Sequence, residues 1–484
     1  MTNNVPTTAI VAVPAGGATM LASSRRRGDA SSEIVYAEQI AKSATTAASS
    51  GVLYCWVGDH WSAQKEGDNL KHALCWLSKY DRERASKASA KSCVETAVLL
   101  ANELPAKPTE IVIPLNDVWL TLEEDNGLRI LVPDRSLGVC HKISANITSK
   151  SGLHVPAEVP STSLFGQYLQ SSLPNPEVRA LVQEYVGYTL SGSTEFQTAQ
   201  FWVGSGSNGK SVLLNIVRTL HAKPVAMDLD RLDGFSRTAI VGASLIACDE
   251  TPKGKINQQT LKILISGGVT DVTPKYGQPF FYQSTAKWII CSNHIPALTD
   301  HSDGWWRRLH IIDWNVQVKG ADIIPDLDRR IIRDELDIVL DWALEGLRRL
   351  YKRGGFDVPA VVQAAKDDAM AETNSVLDWA NAHGIAVDTS SKYFCDKSHL
   401  YATYVQYCDT NGFAACNISQ FFKRLKDTFT GMRTKKELRG QGSHRVRVPC
   451  VNLVLGSFGE ADSQSLAVEE QAEIDAVFPA PKAD

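Results

Sequence analysis

The chain has 484 residues, 44% of them hydrophobic, and a formal net charge of −4. Because single hydrophobic cores stop growing at roughly 250 to 300 residues, this length favours two or three domains. The balanced charge excludes a protein that is basic overall, and no apolar run approaches the roughly 18 residues that span a bilayer, so we expect no membrane partner.

The cysteines and the N-terminus indicate the compartment. The ten cysteines are scattered singly, with no C-x-x-C pair and no Cys/His cluster at zinc spacing, which predicts free thiols in a reducing environment. The N-terminus lacks the basic-then-apolar order of a secretory signal. We therefore expect a cytoplasmic protein.

The first half of the chain predicts a tail and then a folded domain. Residues 1–50 are rich in Ala, Ser and Thr and have no sustained period, which predicts disorder. The run WLSKYDRERASKASAKSCVETAVLLANEL has helical spacing, IVIPLNDVWLTLEEDNGLRILV indicates short strands around an Asn-Gly turn, and NPEVRALVQEYVGYTL indicates a helix with Pro176 in its first turn. Residues 51–190 are thus expected to form a mainly helical N-terminal domain.

Strand and helix patterns alternate through the middle of the chain. QTAQFWV, SLIACDE and KWIICSN read as buried strands, whereas SVLLNIVRTLH, QQTLKILISG and DELDIVLDWALEGLRRLYKRGG read as helices, the last with a glycine stop. This alternation predicts an α/β core over residues 191–360.

A third unit is predicted over residues 375–455, followed by an acidic tail over 456–484. HLYATYVQYCDTNG and NISQFFKRLKDTF indicate two helices, and RTKKELRGQGSHRVRVPCVNLVL indicates a ribbon, an order that is typical of a winged helix. Nine Lys or Arg but only two acids lie between residues 423 and 447, so we predict a DNA-binding or partner-binding domain, although a merely solvated helix fits the same pattern. The candidate DNA contacts here are Lys423, Arg424, Lys435, Lys436 and Arg445, with Arg439 and Arg447 adding charge on the ribbon.

The stretch GSGSNGKS matches the Walker A pattern between a predicted strand and a predicted helix. Glycines let successive backbone amides converge on phosphate oxygens, and the helix N-terminus adds partial positive charge. Lys210 is expected to reach the β and γ phosphates of ATP, and the Ser211 hydroxyl to ligate Mg²⁺. The alternative is a glycine-rich turn with an exposed lysine. The predicted nucleotide-binding residues are Gly204, Ser205, Gly206, Ser207, Asn208, Gly209, Lys210 and Ser211.

Two acids end the strand pattern SLIACDE. We expect Asp249 to bind Mg²⁺ together with Ser211, and Glu250 to polarise the attacking water. A solvated acidic pair at the end of a strand is the alternative.

An ordered set of motifs resembles the superfamily 3 helicases of the phage, plasmid and poxvirus helicase-primase type. The set consists of GSGSNGKS, CDE, the segment from Lys262 through Gly-Gly to the predicted hairpin VTDVTPKYGQPFFYQ, SNHIP and WWRRLHIID. Weaker similarity extends to the flanking regions, so that about four fifths of the chain is covered. The chain has Gly-Gly-Val where many relatives have Gly-Gly-Asp, and it shows no recognisable primase domain.

The resemblance implies an AAA+-like P-loop ATPase core and an ATP-dependent DNA helicase with 3′–5′ polarity, acting in replication of a mobile element in a bacterial cytoplasm. It implies that Asn293 senses the γ-phosphate and that Arg307, or else Arg308, is an arginine finger for the neighbouring subunit of a ring, which we expect to be a hexamer. Lys275 would grip DNA, while Lys262 and Lys287 rank lower as phosphate contacts.

The implied partners are single-stranded and forked DNA, and a separate primase or initiator. Two other functions fit the sequence: an origin-binding initiator that uses ATP for assembly, and a P-loop kinase of a small molecule.

Overall fold

The protein is described by a computed structural model that covers residues 30–123, 127–251, 256–274, 278–295, 298, 302–318, 323–390, 393–411, 413, 415–439 and 445–454. The chain divides into two compact units. The first unit comprises Met1–Pro296 and Arg308–Gln363, and the second comprises Ala297–Arg307 and Ala364–Asp484. In the described part of the chain, no helix is both long and apolar enough to cross a membrane.

The first unit begins with helices and a small antiparallel sheet. Its elements are α1 (Ser32–Ala41), β1 (Thr46–Ser49), β2 (Val52–Trp56), β3 (Trp61–Ala63), α2 (Glu66–Tyr80), a 3₁₀ turn (Arg82–Arg84) and α3 (Lys87–Leu100). The long predicted helix is therefore interrupted between α2 and α3.

The predicted disorder of residues 1–50 is wrong for α1 and β1, while residues 1–29 lie outside the described residues. The Ser31 hydroxyl accepts the amide of Ile34 and caps α1. Tyr36, Ala37 and Ile40 are buried in one cluster with residues of α2 and α3. The Ala- and Ser-rich composition hid this short apolar face, which is stabilised by packing rather than by a strong sequence period.

The next elements form a four-stranded antiparallel sheet and two helices. They are β4 (Val112–Pro114), β5 (Trp119–Leu122), β6 (Leu128–Leu131), β7 (Leu153–His154), α4 (Leu164–Ser172) and α5 (Pro176–Leu190). Asn175 caps α5 and Pro176 occupies its first turn, as predicted. The N-terminal region is therefore mixed rather than mainly helical. The strands around the Asn-Gly turn were predicted, whereas β1, β2, β3 and β7 have two to five residues each, too few for their period to stand out in the sequence.

A parallel sheet forms the core of the first unit, so the predicted α/β class is confirmed. Its strands lie in the order β14-β8-β13-β10-β9, and every neighbouring pair is parallel. β10 and β13 are buried along their whole length, as expected for a sheet covered on both faces. The elements are β8 (Ala199–Val203), α6 (Lys210–Leu220), β9 (Pro224–Ala226), β10 (Leu245–Cys248), α7 (Gln258–Ile265), β11 (Val269–Val272), β12 (Phe280–Gln283), β13 (Lys287–Ser292), α8 (Asp303–Trp306, in the second unit), β14 (Leu309–Asp313), α9 (Leu327–Asp334), α10 (Leu336–Arg353) and α11 (Ala360–Thr373, which begins in the first unit and continues into the second).

The second unit has the element order of a winged helix. Its elements are α12 (Ser375–Ala382), β15 (Ala386–Val387), β16 (Cys395–Asp396), α13 (Lys397–Asn411), α14 (Ile418–Thr428), β17 (Thr434–Arg439), β18 (Val446–Val451) and β19 (Leu453–Val454). β16, β18 and β17 form an antiparallel sheet, and Phe421 and Leu425 of α14 are buried in the unit's own core. The acidic tail over 456–484 lies outside the described residues.

Two glycines let α5 and α10 pack at unusually short range. A Cβ atom on Gly187 would lie 2.2 Å from the carbonyl oxygen of Ala343, and one on Gly346 would lie 2.3 Å from that of Gln183. Beside this contact the buried Glu184 carboxylate pairs with Arg349 at 2.7 Å and with Arg353 at 2.5 Å. The helix that leads into β8 is therefore held rigidly against α10.

We predict that Gly187→Ala lowers the thermal unfolding midpoint, because overpacking against backbone atoms costs about 1–3 kcal/mol. Gly67→Ala is the matched control, since Gly67 lies in α2 with no heavy atom within 4 Å of the added Cβ. That change should be neutral or should stabilise by up to about 1 kcal/mol. Calorimetry of both variants is the measurement, and equal midpoints would contradict the close-packing explanation.

Candidate functional site

Three strand ends and one loop meet at the carboxyl edge of the parallel sheet. The loop of residues 204–209 joins β8 to α6, Asp249 and Glu250 follow β10, and Asn293 follows β13. Because β13 lies between β8 and β10, these groups are brought side by side around a cavity of about 370 Å³. The cavity is lined by Gly206, Ser207, Asn208, Gly209, Lys210, Ser211, Val212, Asp249, Glu250, Cys291, Ser292 and Asn293.

The loop has a backbone that requires glycine at particular positions. Gly206, Ser207 and Gly209 have φ angles of 97°, 51° and 88°. A Cβ on Gly209 would also lie 2.7 Å from the Ser172 hydroxyl, and one on Gly204 would lie 2.2 Å from the Asn208 amide nitrogen. Successive left-handed residues turn backbone amides toward a common concavity at the start of α6.

The Lys210 side chain is folded back onto this loop. Its ammonium donates to the Gly204 carbonyl at 2.7 Å and to Asn208 Oδ1 at 2.9 Å. Asn208 Nδ2 in turn donates to the Trp314 carbonyl, just beyond β14, at 2.9 Å. Burial lowers the pKa of the Lys210 ammonium, because the charged form loses solvation and gains only neutral partners. The contact between Asn208 and Trp314 joins residues that are far apart in the sequence, so it was not predicted.

The two acids differ in their surroundings. Asp249 Oδ2 lies 3.2 Å from Nη1 of Arg218, which is on α6, although the Asp249 side chain remains 59% exposed. Glu250 is also exposed on the cavity side. The contact of Arg218 with Asp249 was not predicted from the sequence. Only the position of Arg218, two turns after Lys210 on α6, could have indicated that it lies near the acids.

A buried hydroxyl network lies beneath Asn293. The Thr251 and Ser292 hydroxyls are hydrogen-bonded to each other, and the Ser292 hydroxyl also contacts both the carbonyl and the amide of His294. The Asn293 side chain itself is exposed. Nearby, burial raises the pKa of the Cys291 thiol to about 12, so this cavity-lining cysteine is neutral.

The two candidate arginine fingers occupy different positions. Arg308 precedes β14, its carbonyl accepts the Ala199 amide, and its guanidinium donates to Ser266 at 2.7 Å and to Gln197 at 3.2 Å. It therefore lies at the amino edge of the sheet, opposite the cavity of its own chain. Arg307 follows α8 in the second unit and is exposed. The choice between them stays a prediction.

The expectation that Lys287 approaches a phosphate is wrong. Lys287 begins β13 at the amino edge, and its buried ammonium donates to the Ser191 and Thr285 carbonyls. Burial holds the pKa of Lys287 well below its usual range. Lys262 lies on α7, and Lys275 lies outside the described residues.

The basic residues of the second unit separate into two sets. Lys435 lies 2.7 Å from Glu437 and 3.6 Å from the ring centre of Phe394, and Arg439 donates to Glu437 and to the Phe394 carbonyl. Lys436 and Arg447 stand on the opposite face of the ribbon, because their cross-strand partners are Pro449 and Leu438. Of the predicted contacts and the two added ribbon arginines, Lys423, Lys435, Lys436, Arg439, Arg445 and Arg447 are exposed, whereas Arg424 is half-buried.

Two family models match separate parts of the chain. Residues 202–308 match a family of unknown function, DUF5906, and residues 374–445 match the RFX DNA-binding domain. The second match agrees with the element order of the second unit, so the predicted winged helix is confirmed.

Similar curated proteins come from large DNA viruses. A "Putative helicase" of Acanthamoeba polyphaga mimivirus is 28% identical, and the match covers 30% of this chain and 16% of that protein. A "Putative helicase" of Invertebrate iridescent virus 3 is 24% identical, with 34% of this chain and 19% of that protein covered. A "Putative primase" of African swine fever virus is 26% identical, with 31% of this chain and 17% of that protein covered. The chain thus spans less than one fifth of the length of these relatives.

Among solved structures, the A form of the apo NrS-1 C-terminal region is 12% identical, with a TM-score of 0.46, and the similarity covers 84% of this chain and 94% of that one. The sequence comparisons support a distant helicase- or primase-like relationship for part of the chain and a DNA-binding winged helix at its C-terminal end.

We predict that Asn208→Ala destabilises the first unit, because it removes one of the two acceptors of the buried Lys210 ammonium and the amide donor to the Trp314 carbonyl, at a cost of about 1–3 kcal/mol. Ser205→Ala is the control, since the Ser205 hydroxyl accepts a hydrogen bond from the exposed Gln317 side chain. Urea unfolding followed by tryptophan fluorescence compares them. Identical midpoints for the two variants would show that Asn208 does not brace the loop.

Proposed function

We propose that this chain is an ATP-dependent DNA helicase of the superfamily 3 type, with an AAA+-like P-loop core, that acts in the replication of a phage, plasmid or other mobile element. The observation that carries the proposal is the convergence of Lys210, the Asp249-Glu250 pair and Asn293 on one cavity at the carboxyl edge of a parallel sheet. Ligands of open α/β sheets bind at this edge.

The loop fits the phosphates of ATP. Among the described residues the Lys210 ammonium has only neutral oxygen partners, so an anionic phosphate would supply a counter-charge. The amides of residues 206–211 lie at the start of an eleven-residue helix, whose N-terminal dipole favours the same charge.

Mg²⁺ would be held by the Ser211 hydroxyl and the Asp249 carboxylate, and when bound it neutralises phosphate charge. Within the described residues there is no cluster of three or more His, Cys, Asp or Glu side chains placed for a metal. That suits Mg²⁺, which usually takes one or two protein carboxylates and shares the phosphate oxygens. Asp249 would be released from, or shared with, Arg218.

Glu250 and Asn293 would act on the attacking water. A Glu250 carboxylate that is exposed in the cavity can accept a proton from water, and the Asn293 amide can hold the γ-phosphate or the water by hydrogen bonds. Neither residue lies in the phosphate-binding loop, so both groups would affect hydrolysis more than nucleotide affinity.

A complete site would include an arginine from a neighbouring copy, with Arg307 preferred to Arg308. Arg308 lies at the amino edge and is held by Ser266 and Gln197, so it is unable to serve the cavity of its own chain. A finger supplied in trans implies a ring, for which we propose a hexamer. Lys275 would contact DNA, with 3′–5′ movement on single strands at a fork, and a separate primase or initiator would complete the replication complex.

The second unit would bind DNA through the exposed basic residues of α14 and the ribbon. This feature also favours a second candidate function, that of an origin-binding initiator which uses ATP for assembly. The two functions differ in whether ATP hydrolysis is coupled to strand separation on a fork that carries no origin sequence.

We expect Lys210→Ala to abolish DNA-stimulated ATP hydrolysis and unwinding of a generic fork, with losses of at least about 100-fold, because the negative charge of the transition state loses a stabilising cation. Lys71→Ala, an exposed lysine of α2, is the control. ATP hydrolysis by the wild-type chain that is not stimulated by DNA would exclude a helicase. Hydrolysis without unwinding would favour the initiator.

We also expect Lys436→Ala and Arg447→Ala each to remove about one contact with a DNA phosphate. The slope of log Kd against log salt concentration for duplex DNA should then decrease by about 0.9 for each variant. Lys435→Ala should change the slope less, because its charge is already paired with Glu437. Fluorescence anisotropy at several salt concentrations measures this. A larger effect for Lys435→Ala would place the contact on the other face.

A further inference from the structure

A buried pair of hydroxyl groups joins the two strand ends that carry the acids and the asparagine. Thr251 and Ser292 are each 2% exposed, and they are hydrogen-bonded across 41 residues of sequence. The contact lies directly beneath the cavity, since Thr251 follows Glu250 and Ser292 precedes Asn293.

The direction of each hydrogen bond follows from the single proton of a hydroxyl group. The Ser292 hydroxyl donates to the His294 carbonyl and accepts the His294 amide at 3.2 Å. Its one proton is therefore used, so Thr251 donates and Ser292 accepts. Ser292 is itself fixed, because its carbonyl accepts the Gly204 amide at 3.1 Å. Ser292 thus connects Thr251, through its hydroxyl, with Gly204, the first residue of the loop over 204–209, through its carbonyl.

Glu250 and Asn293 have no such restraint of their own. In the described part of the chain neither side chain has a hydrogen-bond partner, and both are exposed. Their distance from each other is consequently set by the backbone, and the Thr251 to Ser292 hydrogen bond is the side-chain contact that ties the two backbone segments together where the strands end.

We propose that Thr251 and Ser292 are positioning residues that fix the spacing between the Glu250 carboxylate and the Asn293 amide for the hydrolytic step. The inference rests on the proposed ATPase function and adds two residues to it. Small displacements of groups that orient a reacting water have large effects on rate, whereas the phosphate-binding loop keeps its own contacts. Loss of the pair should therefore lower kcat and leave nucleotide affinity nearly unchanged.

The test uses the full chain with Thr251→Val, Ser292→Ala and the double variant. We expect each single change to lower kcat for ATP at least ten-fold, while the Kd of a fluorescent ATP analogue stays within about two-fold. The double variant should be no worse than Ser292→Ala, because that single change already removes the Thr251 to Ser292 hydrogen bond. Thr251→Ser, which keeps the donor, should retain most of the activity.

Thr46→Val is the matched control, since the Thr46 hydroxyl is also buried and donates to the Ile40 carbonyl in the N-terminal region. An equal fall in kcat for Thr46→Val and Thr251→Val would mean that general destabilisation is responsible, and would overturn the proposal. So would a kcat within two-fold of wild type for both Thr251→Val and Ser292→Ala.

Lys210→Ala distinguishes a failure of the proposed ATPase function from a failure of the positioning role of Thr251 and Ser292. If it leaves hydrolysis intact, the proposed function itself fails. If it abolishes hydrolysis while Thr251→Val and Ser292→Ala are neutral, only the positioning role fails.

Discussion

The place of β13 between β8 and β10 is the constraint on which the candidate site depends. Strands of a parallel sheet end at a common edge, so their order alone decides which strand-end side chains are neighbours. With neighbouring strands about 4.8 Å apart, β8 and β10 lie nearly 10 Å apart. That gap leaves room for phosphate between Lys210 and the acids, with Asn293 rising from the strand in the middle. Direct pairing of β8 with β10 would close the gap.

The same edge also makes the loop rigid. The loop is tied to β13 through the Gly204 amide and to the chain after β14 through Asn208, so both neighbours of β8 hold it. Gly206, Ser207 and Gly209 already have left-handed backbone conformations, and the Lys210 ammonium donates to two oxygen atoms. Phosphate binding would then exchange partners within a formed site instead of ordering a flexible one, which lowers the entropic cost of binding.

Sequence reasoning found the parts of the site whose signal is local. A glycine pattern between a strand and a helix, acids after one apolar run and an asparagine after another were enough to predict residues that the fold brings together. It missed the contacts between distant segments: Asn208 with Trp314, Arg218 with Asp249, and Thr251 with Ser292. It also missed α1, because Ala and Ser gave no strong period and the helix is stabilised by burial against α2 and α3.

The second unit shows why composition overstates the charge that is available to DNA. Successive residues of a strand face opposite sides, so Lys435 and Arg439 lie on the face that carries Glu437, while Lys436 shares the other face with Arg447. Glu437 is in contact with both Lys435 and Arg439, which leaves less net charge on that face. A shift of one residue in the pairing of β17 with β18 would exchange the two sets. The register of the ribbon, and not the number of basic residues, therefore determines which charges can meet phosphate groups.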